Sequence, residues 1–343
     1  MGVEPVPAVG PGGPGPGREV LVEVPALLDG VRVDRAVALL TGCSRAVAAS
    51  LVADGHVSVD GRAVTEGKRP LRGGEVLEMT VGAGGAAPLA PEPDVPVDVV
   101  YADPDLVVVD KQAGLVVHPG AGRPAHTLAG GLLSRFPDLA QLSAAGVCDP
   151  RRPGIVHRLD RGTSGLLAVA RTERAYRSLV LQLSERSVER RYLALVRGQP
   201  EEDRGVVDAP IGRSARAPTR MAVSAQGRRA VTRFHVVARY DAPVRSALLA
   251  LELQTGRTHQ IRVHLAAIGH PVVGDDRYGK RRGDRLEAEL PDGRLFLHAT
   301  RLGLDHPSTG ERMAWSSALP ADLAGLVPVP PGALADLDGS PGP

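Results

Sequence analysis

Lysine is almost absent from this chain. It occurs only at 68, 111 and 280, so 38 of the 41 basic residues are arginine. A GC-rich coding bias, which also favours Ala, Gly and Val, accounts for most of that skew. The outcome still matters chemically, because arginine makes bidentate phosphate contacts and stacks on bases. Cysteine is as scarce: Cys43 and Cys148 stand alone with no CxxC pair, which argues against a disulfide framework or a thiolate zinc site. Aromatic residues are only 3% of the chain, too few for a base-stacking sheet of the RNA-recognition-motif kind. The N-terminus lacks a basic-then-apolar signal pattern, and no apolar run approaches the ~20 residues of a membrane span. The expectation is a soluble cytoplasmic protein, monomeric by default, with no metal and no cofactor.

What is present is a chain of 343 residues with 43% hydrophobic content, enough for one large domain and a small one. Net charge is only +2, but it is unevenly placed. Residues 151–192 hold ten arginines against four acids, and 204–239 hold eight against one. Such concentrated fields suit a polyanion.

Composition divides the chain. Residues 1–17 are Gly/Pro-rich and read as a disordered tail, 82–96 as a linker, and 326–343 as a flexible tail. Between them lie a small unit, 18–81, and a large one, 97–325. In the small unit, helical spacing covers 35–40 and 44–53, with Ser44 as N-cap, followed by a hairpin over 56–64 around Asp60-Gly61. In the large unit, β-like runs cover 97–101, 106–110, 166–171, 192–197, 231–237, 247–254 and 295–304. Helical patterns are fewer, at 126–135, 173–186 and 258–268. The expected class is α+β: a mostly antiparallel mixed sheet, preceded by a small α/β-hairpin domain.

The densest polar segment is His157-Arg158-Leu159-Asp160-Arg161-Gly162-Thr163-Ser164-Gly165, set just before an apolar strand. A loop there presents Asp160 between arginines, which favour the charged form of a carboxylate. That suits a nucleophile and not a general acid. Taken alone, an Asp-Arg turn is more simply structural, with the arginines solvated. Other motifs fail. The protein-kinase loop needs a Gly-rich phosphate loop and Asp-Phe-Gly, which are missing. His259 and His264 are five apart, the wrong spacing for zinc ligands on a helix. Glycoside hydrolysis needs two suitably placed carboxylates.

The segment "HRLDRGTSG" resembles the signature of the RNA pseudouridine synthases that modify large-subunit rRNA and some tRNAs. "DKQAGLVVHPG" (110–120), "RRYLALVRG" (190–198), "LQTGRTHQIRVHLAAIGHPVVGDDRYG" (253–279) and "LFLHATRLGLDHPSTGERM" (295–313) resemble further segments of that family. Gln112 departs from the proline common there. The small unit is similar to the RNA-binding domain named after the fourth small-subunit ribosomal protein.

The resemblance implies an isomerase that flips a uridine out of its helix and converts it to pseudouridine through Asp160. It places the active-site tyrosine on Tyr192 and the partner of Asp160 on Arg262, in a helix that Thr258 would cap. Arg158 is the implied side chain for the vacated space, with Arg161, Arg257, His259 and Arg220 also at the substrate. The implied RNA surface includes Arg45, Arg62, Lys68 and Arg69 in the small unit, and Arg213, Arg228 and Arg229 in the large one. Ribosomal RNA or a pre-ribosomal particle would be the partner. The alternatives are the same chemistry on tRNA, or a noncatalytic RNA-binding or assembly factor on this fold. Retention of Asp160, Tyr192 and Arg262 favours the enzyme.

Overall fold

A strand that is buried on both faces needs no alternation, and the Ser164–Ala170 stretch, SGLLAVA, is apolar and buried throughout. It forms a central strand in a computed structural model that describes residues 18–41, 45–81, 89–120, 125–217, 219–279 and 283–330. Those of 1–91 and 136–153 group into one compact unit, and those of 92–135 and 154–343 into another. Residues 1–17, residues 331–343 of the expected 326–343 tail, most of the expected linker (82–88) and Ser44 lie outside the described residues, whereas Leu326 and Val327 of that tail are buried in the core with Leu323 and Phe296.

The small unit runs β1 (Arg18–Glu23), α1 (Val33–Thr41), α2 (Arg45–Ala53), β2 (Val57–Val59), β3 (Arg62–Ala63) and β4 (Val76–Val81). Its sheet is four-stranded and antiparallel, in the order β1-β4-β2-β3. Asp60 and Gly61 take φ of 51° and 70°, the paired positive values of a tight hairpin turn. Val33, Ala36 and Val37 of α1 and Ala48, Leu51 and Val52 of α2 bury against Val57, Val59, Leu77 and Met79. Strands β1 and β4 were not anticipated; long-range pairing defines them, Arg18 with Val81 through Glu23 with Val76, and β4 pairs with β2 on its other side.

The second stretch begins with β5 (Asp98–Ala102), β6 (Leu106–Lys111) and α3 (Leu128–Arg135). A short helix, α4 (Leu139–Ala144), belongs with the small unit. The chain then continues through β7 (Ser164–Ala170), α5 (Glu173–Glu185), β8 (Glu189–Arg197), β9 (Arg204–Asp208), β10 (Ile211–Arg213), β11 (Met221–Val223), β12 (Val231–Tyr240) and β13 (Ser246–Leu253). It closes with α6 (Gln260–Ala267), α7 (Arg285–Ala288), β14 (Leu297–Asp305), β15 (Arg312–Ser316) and α8 (Ala321–Ala324).

Nine of these strands form one sheet, ordered β5-β6-β7-β14-β8-β13-β12-β9, with β15 on β14. Every pairing in it is antiparallel except β14 with β7, so the expected α+β class is what the chain adopts. The edge strands β5 and β15 alternate exposed and half-buried residues, whereas β6, β7 and β8 are almost wholly buried. Helix α5 starts at Thr172, whose hydroxyl accepts from Ala175 N–H at 3.2 Å, and ends where Arg186 turns left-handed at φ 65°. Ala175 and Leu179 then pack against Leu166 and Ala168 of β7.

Candidate active site

The loop that carries Asp160 is held at several points just before β7. Gly114 N–H donates to Arg161 O at 2.8 Å, and Leu295 N–H donates to Gly162 O at 3.1 Å. The buried guanidinium of Arg294 donates to the same Gly162 oxygen at 2.9 Å and to Ser164 Oγ at 2.9 Å. Beneath, the fully buried Lys111 donates to Gln112 O at 2.7 Å and Leu115 O at 2.9 Å, and lies 3.5 Å from Arg161 O. Burial pushes its ammonium down to about 7, helped by Arg294 and opposed by Asp160 and Asp110. The glycines are needed for closeness: a Cβ on Gly162 would lie 2.3 Å from Gly293 O, and one on Gly165, at φ 113°, 2.3 Å from Ala299 O.

Asp160 is thereby presented to Arg262, 102 positions later, whose Nη1 donates to Asp160 Oδ2 at 3.0 Å. The rest of the guanidinium is committed to Asp275, with Nε to Oδ2 at 2.7 Å and Nη2 to Oδ1 at 2.8 Å. Asp275, its side chain fully enclosed, also accepts from the N–H groups of Arg277 and Tyr278 at 3.0 Å each. Burial opposes the charge on Arg262. The bonds and charge of Asp275, then those of Asp160, outweigh it and hold the guanidinium above its ordinary value. The Tyr278 ring lies 5.1 Å from the guanidinium carbon, adding a cation–π contact.

Sequence reasoning assigned no role to Asp275 or Tyr278, although both lie inside a quoted motif. Their part depends on a turn folding back under α6, which spacing does not reveal. The expected Thr258 cap is not formed. The N-cap is His259, left-handed at φ 56° with no side-chain cap bond. The loop is closed instead by Gln260, whose Oε1 accepts from Arg257 N–H at 3.0 Å and Thr255 Oγ at 2.7 Å.

That backbone turn aims His259 at the site. Its Nε2 is 3.8 Å from Asp160 Oδ1, and its Nδ1 is 2.7 Å from Tyr278 Oη. Tyr278 Oη also accepts from Met221 N–H at 3.2 Å, so the imidazole is tied through Tyr278 to that backbone, with Nε2 facing Asp160. Burial holds His259 below its ordinary value, opposed by Asp160 and reinforced by Arg262, Arg277 and Arg158. It is a neutral hydrogen-bond donor at neutral pH.

Tyr192 lies on β8, opposite Leu251 and next to Ala299. Burial pushes its phenol up, opposed by Arg190 and reinforced by Asp160, whose charge is near enough to act on it. The phenol therefore stays protonated at neutral pH and is available as a donor. The site thus combines one carboxylate, a fixed cation, a neutral imidazole and a protonated phenol.

The other anticipated residues spread outward. Arg158 is exposed beside Asp160. Arg161 turns to Gly114 O at 3.1 Å, and Arg257 to Arg229 O at 3.2 Å, so neither pairs with Asp160. The arginine-rich stretch 204–239 contains a hairpin, with Ile211–Arg213 paired to Met221–Val223. Arg213 lies on its first strand, and Arg220 is exposed at its turn. Arg228 is exposed, and Arg229 reaches Asp208 at 3.4 Å. In the small unit, Arg62 and Lys68 are exposed, while Arg69 pairs with Glu75 at 2.9 Å. The side chain of Arg45 lies outside the described residues. Among the described residues there is no group of three or more His, Cys, Asp or Glu placed to hold a metal ion, and no helix long and apolar enough to cross a membrane.

The arrangement matches known proteins. Residues 105–267 fit the family model of RNA pseudouridylate synthase, and residues 31–77 fit that of the S4 domain. The chain is 44% identical over 309 residues to ribosomal large subunit pseudouridine synthase D of Nitrosomonas europaea, covering 89% of this chain and 86% of that protein. It is 41% identical over 284 residues to the uncharacterised RNA pseudouridine synthase YlyB of Bacillus subtilis, covering 83% and 88%. Among solved structures, human RNA pseudouridylate synthase domain containing 1 superposes with a TM-score of 0.55 at 30% identity, covering 74% of this chain and 99% of that one.

Proposed function

The chain belongs to the RNA pseudouridylate synthase family, isomerases that act on RNA, and from that premise we propose that it converts specific uridines of large-subunit ribosomal RNA through Asp160. The observation that supports this reading best is the Arg262 fork, whose Nη1 reaches Asp160 while its Nε and Nη2 are both held by Asp275. The reaction breaks the N-glycosidic bond, turns the uracil and rejoins it through carbon, so it is redox-neutral. The uridine leaves its stack at a cost of a few kcal/mol, and Arg158 is the exposed cation beside the vacated space. Asp160 adds covalently to the nucleotide, Arg262 stabilises its charge, and Tyr192 offers a ring face and a phenolic proton. Relatives named for the ribosomal large subunit support rRNA over tRNA as the substrate. The buried free thiol of Cys148 suits the reducing cytoplasm, where that RNA is assembled.

Carbodiimide mapping of pseudouridine in rRNA tests the proposal. A strain lacking the gene is expected to lose one or more rRNA sites, restored by the wild-type chain and not by Asp160→Ala. Persistence of every site in the deletion strain would refute the rRNA assignment; restoration by Asp160→Ala would refute Asp160.

A further inference from the structure

Two residues before Tyr192 on the same strand, and therefore on the same face of the sheet, lies Arg190. It is 94% buried, being only 6% exposed, yet it makes no ion pair with a carboxylate. Its sole hydrogen bond is from Nη2 to Leu253 O at 3.3 Å, and its enclosed Nε has no partner. Arginine does not readily discharge itself by losing a proton, so this is an uncompensated buried cation, which costs a fold several kcal/mol.

Its surroundings deepen the imbalance. A Cβ placed on Gly256 would lie 2.8 Å from Arg190 Nη1, so that guanidinium rests against the backbone just before Arg257. The charges that act on Arg257 come from Arg228, Arg186 and Arg190, and none is acidic. Burial and these cations together hold Arg257 below its ordinary value. Arg186 and Arg228 are exposed, so the group opens from a buried floor to solvent. None of the four arginines forms an ion pair among the described residues. Elsewhere in the same unit arginines do find acids: Arg197 pairs with Asp284 and Glu287, and Arg294 with Asp322. Four guanidinium groups with no acidic partner, Arg190 against the Gly256 backbone, Arg257 next along the chain and Arg186 and Arg228 near enough for their charges to act on Arg257, fit an anion that arrives with the substrate.

We propose that Arg190, Arg257, Arg228 and Arg186 form an anion subsite that takes an RNA phosphodiester beside the uridine held at Tyr192. Arg190 supplies the buried floor and the other three the solvent-facing rim. The proposal rests on the reading of RNA as the substrate. It adds a role for Arg190 and Arg186, which spacing and motif had left unassigned.

The test measures affinity for an unmodified large-subunit rRNA transcript at several salt concentrations, using the full chain and its Arg190→Met, Arg190→Lys and Arg257→Gln variants. Arg190→Met and Arg257→Gln are each expected to weaken binding about tenfold and to reduce the slope of log affinity against log salt by about one. Arg190→Lys should keep most of that slope. Arg190→Met should melt no lower than wild type, because it removes an unpaired buried charge. Unchanged affinity and slope in both neutral variants would overturn the subsite. So would Arg190→Met melting well below wild type while Arg257→Gln binds normally, the signature of a structural arginine. Absence of pseudouridine formation by the wild type, scored separately on the same transcript, would count against the proposed reaction and leave these affinities to decide the subsite.

Discussion

Arg262 meets Asp160 with only one arm, Nη1 to Oδ2 at 3.0 Å, because its Nε and Nη2 are both taken by Asp275. The contact is therefore set from behind: the enclosed Asp275 fixes the plane of the guanidinium, and that plane fixes where the free arm points. Arg262→Lys should lower kcat at least ~100-fold, since one ammonium cannot span both carboxylates in that geometry. Asp275→Asn, which keeps the shape and removes the charge, should lower kcat more than tenfold (about 1.4 kcal/mol) with KM nearly unchanged. Steady-state kinetics on the target RNA read both. A kcat for Asp275→Asn equal to wild type would show that Asp275 does not position Arg262.

Asp160→Asn keeps the size of the side chain and an oxygen that can accept from Arg262 but removes the nucleophile. Turnover should vanish while RNA affinity stays within a few-fold, since one loop carboxylate contributes little to holding a polyanion. Residual turnover near wild type would remove Asp160 from the chemistry.

The ring and the hydroxyl of Tyr192 are separable. Tyr192→Phe keeps the buried ring, so melting should stay near wild type. If the phenol passes a proton, kcat should fall about 10²- to 10⁴-fold. Tyr192→Leu should additionally weaken binding, because the flat face for the base is gone. A Phe variant as fast as wild type would restrict Tyr192 to stacking.

His157 opens the catalytic loop, and its Nε2 accepts from Ala168 N–H at 2.9 Å, so protonation would cost that bond. Burial, reinforced by Arg190, pushes the imidazole down to about 3 from its ordinary 6.5. Between those values the unfolded chain binds a proton that the folded chain does not. Stability thus rises with pH across that window and is lost as pH falls below about 6.5, by at most ~1.4 kcal/mol per unit. The ring keeps some surface exposed, so the effect is best read at the upper end of the window. Denaturant titrations between pH 6.5 and 4.5 should give a shallower dependence for His157→Gln than for wild type. Identical slopes would mean that another group is responsible.

Gly165→Ala should cost about 2–4 kcal/mol, because a Cβ there meets Ala299 backbone atoms at φ 113°. Gly61→Ala, at φ 70° in an open turn with nothing within 4 Å, should cost only about 1 kcal/mol. Thermal melts compare the two. Equal losses would mean that the β7–β14 approach is looser than its geometry implies.

Much of the fold was legible because its strands are short apolar runs punctuated by turns. The core strands β6, β7, β8, β12, β13 and β14 fall where Val, Leu and aromatic runs were read. Among the elements that escaped, β1, β4, β9 and β15 are defined by their partners. The Thr258 cap failed for a related reason. A threonine two residues before a helix looks like a cap, but here His259 takes a left-handed turn and Gln260 closes the loop from inside.

The chain's own order of residues determined the chemistry it has to offer: one aspartate in an arginine-rich loop, a tyrosine on a strand and an arginine in a distant helical segment. Those are local patterns, and residue types and turns can be read locally. Only the tertiary structure decided that Arg262 would face Asp160 across 102 positions, that Asp275 would hold it there, and that Arg190 would be buried without an acid. Such relations come from strands paired out of sequence order, β14 between β7 and β8 and β13 beside β8. Which side chains share a low-dielectric space, and so which charges compensate one another, is set by that packing and by no spacing along the chain.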